Sequence, residues 1–141
     1  MPEEGAPSAS TGVGRNEWLF ATPELPVADV RATQAYYRDV FGFRIAWVYE
    51  ERYGAVYNGR TEVYLRQEPG PIERACVFVR VENADRVLDA YRARGANVVE
   101  EIASRPWGMR EFTVEELNGH RFRIGHSCGP VRASDEAAEQ G

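Results

Sequence analysis

The chain carries one short pattern twice, and this internal duplication constrains its fold more than any other feature of the sequence. The matching residues stand at a constant offset of 54 positions: Val27, Asp29 and Tyr37-Arg38 recur as Val81, Asn83 and Tyr91-Arg92. A glycine closes each copy, at Gly42 and at Gly95. A repeat of this length corresponds to one supersecondary unit, so the sequence predicts two similar modules in tandem.

Each copy contains a helical pattern. Its apolar side chains stand three or four positions apart, which is the spacing of one helix face: Val30, Thr33, Tyr37 and Phe41 in the first copy, and Ala84, Val87, Leu88 and Tyr91 in the second. Asp29 and Asn83 stand where N-cap residues belong. The sequence therefore predicts helices over residues 29–41 and 84–94.

Around the helices, apolar and polar residues alternate in short runs, which is typical of half-buried strands. Asn58-Gly59 and Asn118-Gly119 are hairpin signals. The predicted strands lie at about 18–27, 44–50, 54–58, 62–67, 75–81, 98–103, 110–115 and 120–126. We therefore expect an α+β fold of two tandem βαβββ modules, at about 18–67 and 75–126, forming a curved sheet with a concave cleft and with the helices outside.

Composition limits the domain organisation and the partners. Residues 1–16 and 129–141 have almost nothing to bury, so we expect two disordered tails around a single domain at 17–128. The 17 basic and 22 acidic residues give a net charge of −5, which argues against nucleic acid as a partner. No apolar run is long enough for a membrane helix, and the start lacks a signal-peptide pattern, so we predict a cytoplasmic protein with no membrane partner.

Successive residues of a strand point to opposite sides, so the strands divide their side chains between a core face and a concave face. The core face is predicted to hold Leu19, Leu25, Val27, Val63, Leu65, Val77, Val79, Val81, Phe122 and Ile124. The concave face is predicted to hold Phe20, Thr22, Glu24, Glu62, Tyr64, Arg66, Cys76, Phe78, Arg80, Arg121 and Arg123. With Trp47, Tyr53 and Trp107 around it, this face predicts a cleft for a flat polar ligand.

Three segments resemble the glyoxalase/bleomycin-resistance (vicinal oxygen chelate) superfamily, and within it the bleomycin resistance proteins in particular. They are ATPELPVADV at 21–30, YYRDVFGF at 36–43, and RPWGMREF at 105–112 followed by Asn118-Gly119-His120. Together with the two βαβββ modules, the resemblance covers nearly all of residues 18–126. It implies a homodimer whose sheets form two clefts at the interface, each able to hold one antibiotic molecule.

The resemblance also assigns ligand-binding residues. Trp47 and Tyr53 match aromatic positions that line the cleft, and Trp107 with Arg110 matches the loop that closes the cleft across the dimer. Strand alternation adds three further candidates on the same face: Tyr64, Arg66 and Phe78. Three acidic residues are candidates for attracting a cationic ligand: Glu50, Glu51 and Glu62. Ala46, Arg66 and Cys76 depart from the pattern of the resistance proteins, which leaves the identity of the drug open.

Enzymes of the superfamily hold a divalent metal on the concave face through His, Glu or Gln side chains of the first, fourth, fifth and eighth strands. The matching positions here are Thr22, Tyr64, Cys76 and Arg123. A guanidinium at a ligand position opposes a metal, although a register shift of two residues brings in Glu24 or Glu62. We therefore predict no metal, no cofactor and no catalytic residue.

The resulting functional prediction is a non-enzymatic protein that sequesters a bleomycin-like or other planar antibiotic and so gives drug resistance. The alternative is a metal-dependent enzyme of the superfamily, a glyoxalase-like lyase or isomerase or a dioxygenase. His120 in a turn and His126 on the core side of its strand are interpreted as structural or solvent-exposed residues. Cys76 has no histidine on its face to act as a base, so we interpret it as a buried, space-filling thiol.

Overall fold

The computed structural model describes residues 16–130, so residues 1–15 and 131–141 of the predicted tails lie outside the described residues. The elements follow the predicted order twice: β1 Glu24–Val27, α1 Val30–Phe41, β2 Arg44–Tyr49, β3 Tyr53–Asn58, β4 Thr61–Gln67, β5 Cys76–Arg80, α2 Ala84–Ala93, β6 Asn97–Ser104, β7 Met109–Glu115 and β8 Arg121–Ser127. Within the described range, neither helix is long and apolar enough to cross a membrane.

Each module forms its own four-stranded sheet. The strand orders are β1-β4-β3-β2 and β5-β8-β7-β6, so the two sheets have the same topology. In both, the first strand of the module pairs parallel with the last, and the other neighbours pair antiparallel. The predicted α+β class and the two βαβββ modules are confirmed, and the internal repeat of the sequence corresponds to them.

The first strand begins later than predicted. Residues 18–27 were expected to form it, but β1 starts at Glu24, and Leu19, which was assigned to the core, is 73% exposed. The pairing with β4 ends at Pro23. Its carbonyl accepts a hydrogen bond from the Tyr64 amide at 2.9 Å, but its nitrogen has no hydrogen to donate to a neighbouring strand. The prediction for Leu19 was wrong because apolar alternation continues upstream into a segment that has no strand beside it.

The helices begin and end close to the predicted positions. The Asp29 side chain accepts a hydrogen bond from the Ala32 amide at 2.9 Å, which caps the start of α1. Asn83 caps α2 in the same way, through the Arg86 amide at 3.1 Å. Helix α1 ends at Gly42, whose φ of 75° is the left-handed conformation that glycine adopts at little cost.

Helix α1 lies unusually close to its sheet at Gly54. A Cβ added there would lie 2.8 Å from Val30 Cγ1 and 2.9 Å from Gln34 Nε2, so this position of β3 accepts only glycine without a shift of the helix. The buried Gln34 amide donates to the carbonyls of Trp47 at 2.9 Å and Ala55 at 3.2 Å. This contact fixes the backbone directly behind the Trp47 side chain.

One apolar core joins the two modules. Its buried members come from both: Leu25, Val27, Val30, Tyr37, Phe41, Val56, Val63, Leu65, Ala84, Leu88, Phe112, Val114, Phe122 and Ile124. Ring contacts cross the boundary, with centroids 6.0 Å apart for Tyr37 and Phe122 and 5.0 Å apart for Phe41 and Tyr91. The core faces of both sheets therefore point inward, and the opposite faces remain open.

A buried polar network crosses the same boundary. His120 is fully buried; its Nδ1 accepts from the Ala75 amide at 2.9 Å, and its Nε2 donates to the Pro26 carbonyl at 2.6 Å. Nearby, the Tyr37 hydroxyl donates to Glu116 Oε2 at 2.8 Å. Burial, reinforced by the Glu116 carboxylate, raises the pKa of Tyr37 well above its ordinary value. Of the two roles that the sequence left open for His120, structural or solvent-exposed, its burial and hydrogen bonds show the structural one.

Replacing His120 is expected to weaken this junction. H120A leaves the partly buried Ala75 amide and Pro26 carbonyl without their partner and removes a fully buried ring, so the free energy of unfolding should fall by about 2–4 kcal/mol. Urea unfolding followed by circular dichroism measures this change. H126A is the matched control: His126 is only half-buried and accepts a single hydrogen bond, from the Ala84 amide, so its loss should be about 1 kcal/mol. Equal losses in the two variants would contradict the assignment.

Candidate functional site

The open face of the first sheet is called here the first concave face, and its exposed or half-buried side chains include Glu24, Trp47, Tyr53, Glu62, Tyr64 and Arg66. Three of them, Trp47, Tyr53 and Tyr64, form a cluster with ring centroids 5.3, 5.7 and 5.8 Å apart. Ala55 lies between Trp47 and Tyr64 in the strand ladders and leaves room for both rings. The cluster offers an aromatic surface on which a planar molecule can stack.

A carboxylate borders the aromatic cluster. Glu24 Oε1 accepts from the Tyr53 hydroxyl at 2.6 Å, and Glu24 Oε2 accepts from Arg66 Nε at 3.1 Å. Arg66 also forms an ion pair with Glu68. The hydrogen bond from Tyr53, together with Arg66, lowers the pKa of Glu24. The same carboxylate raises the pKa of Tyr53 to about 12, so the phenol remains neutral and the acid ionised at pH 7.

A cleft of about 810 Å³ opens beside these residues, a volume within the range of known small-molecule sites. Its walls include Glu24, Tyr49, Glu50, Arg52, Tyr53 and Arg66. Glu50 makes no ion pair with another described residue. Glu51, also a candidate for attracting a cation, instead receives two hydrogen bonds from Arg31 of α1, at 2.5 and 2.9 Å.

A second cavity lies between the modules on the core side, with a volume of about 330 Å³. Its lining is largely apolar and includes Val77, Val79, Val87 and Tyr91. Its rings, Phe41, Phe43, Tyr91 and Phe122, belong to the core or pack against it, and its lining contains no carboxylate that could attract a cationic ligand. The cleft on the first concave face is therefore the better candidate site.

The open face of the second sheet, the second concave face, carries Cys76, Phe78, Arg80, Glu111, Arg121 and Arg123. The Arg123 guanidinium lies over the Phe78 ring, with Cζ 5.2 Å from the centroid. Arg123 also donates to Glu111 Oε2 at 2.8 Å, and this hydrogen bond raises the pKa of Arg123. The Trp107 indole donates to the other oxygen, Glu111 Oε1, at 3.2 Å. One carboxylate thus connects Trp107 and Arg123 directly, and Phe78 through Arg123.

The loop that carries Trp107 is held by its own backbone. The Gly108 amide donates to the Arg105 carbonyl at 3.0 Å, and the Cys128 amide donates to the Gly108 carbonyl at 2.8 Å. Gly108 has a φ of 88°, and a Cβ there would overlap the carbonyl oxygen of Gly129. The glycine that follows Trp107 in the sequence is therefore required by the geometry of this loop.

Arg110 faces the opposite side of the sheet from Glu111. It is paired with His126 in the β7–β8 ladder and donates two hydrogen bonds of 2.8 Å to Asp85, in the first turn of α2. The hydrogen bond between them raises the pKa of Arg110 and lowers that of Asp85. The structure therefore does not bring Arg110 together with the other predicted ligand-binding side chains. Alternation within β7 could have predicted that Arg110 points away from the open face. It could also have predicted that Glu111 lies on the open face, which was missed.

The remaining predicted ligand-binding residues fall into two groups: Trp47, Tyr53, Tyr64 and Arg66 on the first concave face, and Phe78 and Trp107 at the second. Between residues 16 and 130, no hydrogen bond, ion pair or ring contact joins the two faces. A single chain therefore presents two separate half-sites rather than one closed cleft.

The two cysteines are free and exposed. The expectation of a buried Cys76 thiol was wrong, because Cys76 begins the edge strand β5 and its side chain lies on the open side of the sheet.

The positions at which related enzymes hold a metal do not form a suitable donor set. They carry a hydroxyl, a phenol, a thiol and a guanidinium: Thr22, Tyr64, Cys76 and Arg123. Glu24, the candidate after a shift of two residues, is already held by Tyr53 and Arg66. In the part of the chain that the structure describes, no three His, Cys, Asp or Glu side chains are grouped to hold a metal ion. These residues do not fit a divalent cation.

Two βαβββ modules, joined by a common core and each open on its other face, define a class of paired-module α+β proteins. A family model described as the Glyoxalase/Bleomycin resistance protein/Dioxygenase superfamily matches residues 19–124. The chain therefore belongs to this superfamily, which confirms the resemblance seen in the sequence.

Solved structures share the fold at low sequence identity. TioX from Micromonospora sp. ML1 is 25% identical, with 77% of this chain and 99% of that chain covered and a TM-score of 0.67. The bleomycin-binding protein of Streptomyces verticillus, complexed with copper(II)-bleomycin, is 18% identical, with 80% and 98% covered and a TM-score of 0.66. Lactoylglutathione lyase from Agrobacterium tumefaciens is 18% identical, with 79% and 96% covered and a TM-score of 0.66. No curated protein sequence matches the chain.

The contact between Glu24 and Tyr53 is open to a direct test. In E24Q the negative charge is lost, so the pKa of Tyr53 should fall from about 12 toward its ordinary value of 10.0. A pH titration of the tyrosine ring-carbon NMR signals measures this. E62Q removes a carboxylate from the same face without touching Tyr53, so it should leave the pKa of Tyr53 near 12. An unchanged Tyr53 titration in E24Q would contradict the geometry of the site.

Proposed function

We propose that the chain binds a planar antibiotic of the bleomycin type and protects its host by sequestering the drug without converting it. The cluster of Trp47, Tyr53 and Tyr64, open at the edge of a cleft of about 810 Å³, carries this proposal. Under this proposal, the protein acts in the cytoplasm as a homodimer that binds one drug molecule per chain.

The chemistry of the cleft supports a binding role. A drug of this class offers stackable aromatic rings and a cationic tail, and aromatic pairs contribute about 0.5–1.5 kcal/mol each beyond the area they bury. Glu50 stands at the cleft with no ion-pair partner among the described residues and supplies negative charge for a cation. Binding of this kind requires no general base, no nucleophile and no metal in the protein.

The arrangement of the sheets supports a homodimer. Strands β1 and β5 are each at the edge of their sheet, with one side unpaired by any strand among residues 16–130. If the β1 edge of one copy meets the β5 edge of a second copy, the first concave face of one lies beside the second concave face of the other. The two half-sites would then complete each other and give two equal clefts per dimer.

The likeness to a bleomycin-binding protein of Streptomyces verticillus, solved with copper(II)-bleomycin, gives a precedent for such a cleft in this fold. The likeness to a lactoylglutathione lyase is of the same strength. The choice between binding and catalysis therefore depends on the donor chemistry of this chain, which favours binding.

The decisive experiment is a titration of the metal-depleted protein with metal-free and copper-loaded bleomycin. Binding is measured by equilibrium dialysis and by tryptophan fluorescence. We expect saturable binding at one drug per chain, with the drug recovered unchanged, and a dimer by analytical ultracentrifugation. Absence of saturable binding, together with a stoichiometric metal in untreated protein, would overturn the proposal in favour of an enzyme.

Substitution of the aromatic cluster locates the binding. W47A should weaken bleomycin binding by about 1–3 kcal/mol, because it removes stacking area from the aromatic cluster at the edge of the cleft. Y53F keeps the ring and should bind nearly as the native chain does. W18A is the control for general loss of tryptophan, since Trp18 is 89% exposed and outside the cleft. Equal affinity of W47A and W18A for the drug would exclude this cleft.

A further inference from the structure

The second concave face has a buried carboxylate at its centre. Glu111 lies in β7, is only 2% exposed and uses both of its oxygens. Oε1 accepts from the Trp107 indole at 3.2 Å, and Oε2 accepts from Arg123 at 2.8 Å. A buried charge is costly unless it is paired and hydrogen-bonded. Here the two partners come from different elements, a loop and β8.

The strand beside Glu111 is fitted to it. Gly125 is its partner in the β7–β8 ladder, and a Cβ added at Gly125 would lie 2.9 Å from Glu111 Cβ. This glycine does not have a positive φ, so backbone conformation does not require it. Glycine is required because the strand lies so close to Glu111. The Arg110 carbonyl oxygen would also lie 2.9 Å from the added Cβ.

The partners of Glu111 are exposed where a ligand would meet them. Trp107 is 47% exposed and the Arg123 side chain 38%. Arg123 lies over Phe78, which is itself 41% exposed. One buried group therefore holds two exposed side chains directly and a third through stacking, which is the arrangement that preorganises a binding surface.

We propose that Glu111 is the positioning residue of this half-site: it holds Trp107 and Arg123, and through Arg123 the Phe78 ring, in one arrangement before a ligand binds. The consequence for drug affinity rests on the proposed function. The ordering of Trp107 does not, because it is a property of the ligand-free protein.

The first test follows Trp107 alone. The chain has three tryptophans, so W18F/W47F leaves Trp107 as the single fluorophore. In that background E111A removes both acceptors, and the acrylamide quenching constant of Trp107 should rise about twofold as its hydrogen bond is lost. E111Q retains one acceptor oxygen for two donors, so it should also raise the acrylamide quenching constant of Trp107.

The matched control is E115A. Glu115 lies on the same strand and the same face, and forms an ion pair with Arg121 at 3.2 Å, but it has no contact with Trp107. Its quenching constant should equal that of the parent. Far-UV circular dichroism verifies that each variant is folded. Equal Trp107 quenching in E111A, E111Q and the parent would overturn the proposal, whether or not the protein binds a drug.

The second test measures affinity in chains that retain all three tryptophans. By equilibrium dialysis, copper-bleomycin should bind about tenfold more weakly to E111A, whereas E115A should stay within about twofold of the native chain. An E111A affinity equal to the native one, while W47A is weakened, would also overturn the proposal. If the native chain binds no bleomycin, the proposed function fails and the Trp107 measurement alone decides the role of Glu111.

Discussion

The shared apolar core is the constraint on which the rest of the structure depends. Each sheet has one apolar face, and neither module covers that face with its own short helix; the ring contacts of Tyr37 with Phe122 and of Phe41 with Tyr91 cross between modules to do so. Because these faces turn toward each other, the opposite faces turn outward. The outward position of the aromatic cluster and of the Glu111 group is thus a consequence of how the core is buried.

The internal repeat and the alternation of apolar residues were sufficient to predict the modules, both helices and the side of the sheet on which Tyr64 and Phe78 lie. These features depend on local spacing, which the sequence displays directly. The start of β1 and the exposure of Leu19 depend instead on whether another strand is present alongside, and spacing carries no information about that. Apolar alternation before Pro23 therefore predicted a strand where the structure has none.

The candidate site, like the fold, could be predicted from the sequence only in part. Alternation assigned Tyr64 and Phe78 to a face, and the resemblance to the resistance proteins assigned Trp47 and Tyr53. The hydrogen-bond partners of these side chains could not be predicted, since hydrogen bonds link residues distant in sequence. Arg110 shows the limit: the matched loop pattern placed it with Trp107, whereas strand β7 turns it toward Asp85. Glu111, its neighbour in sequence, occupies the open face instead. A one-residue difference on a strand decides between a contact with a helix and a contact with a cleft.

The fit of Gly125 against Glu111 has a bearing on how this surface can change over evolutionary time. Most positions on the two open faces contribute little to the core, so substitutions there can alter the proposed ligand preference while the domain still folds. Glu111 is different, because its carboxylate holds Trp107 and Arg123, and its Cβ leaves no room for a side chain at Gly125. A new ligand preference is therefore expected to arise through the exposed rings, with this acidic residue and its facing glycine inherited together.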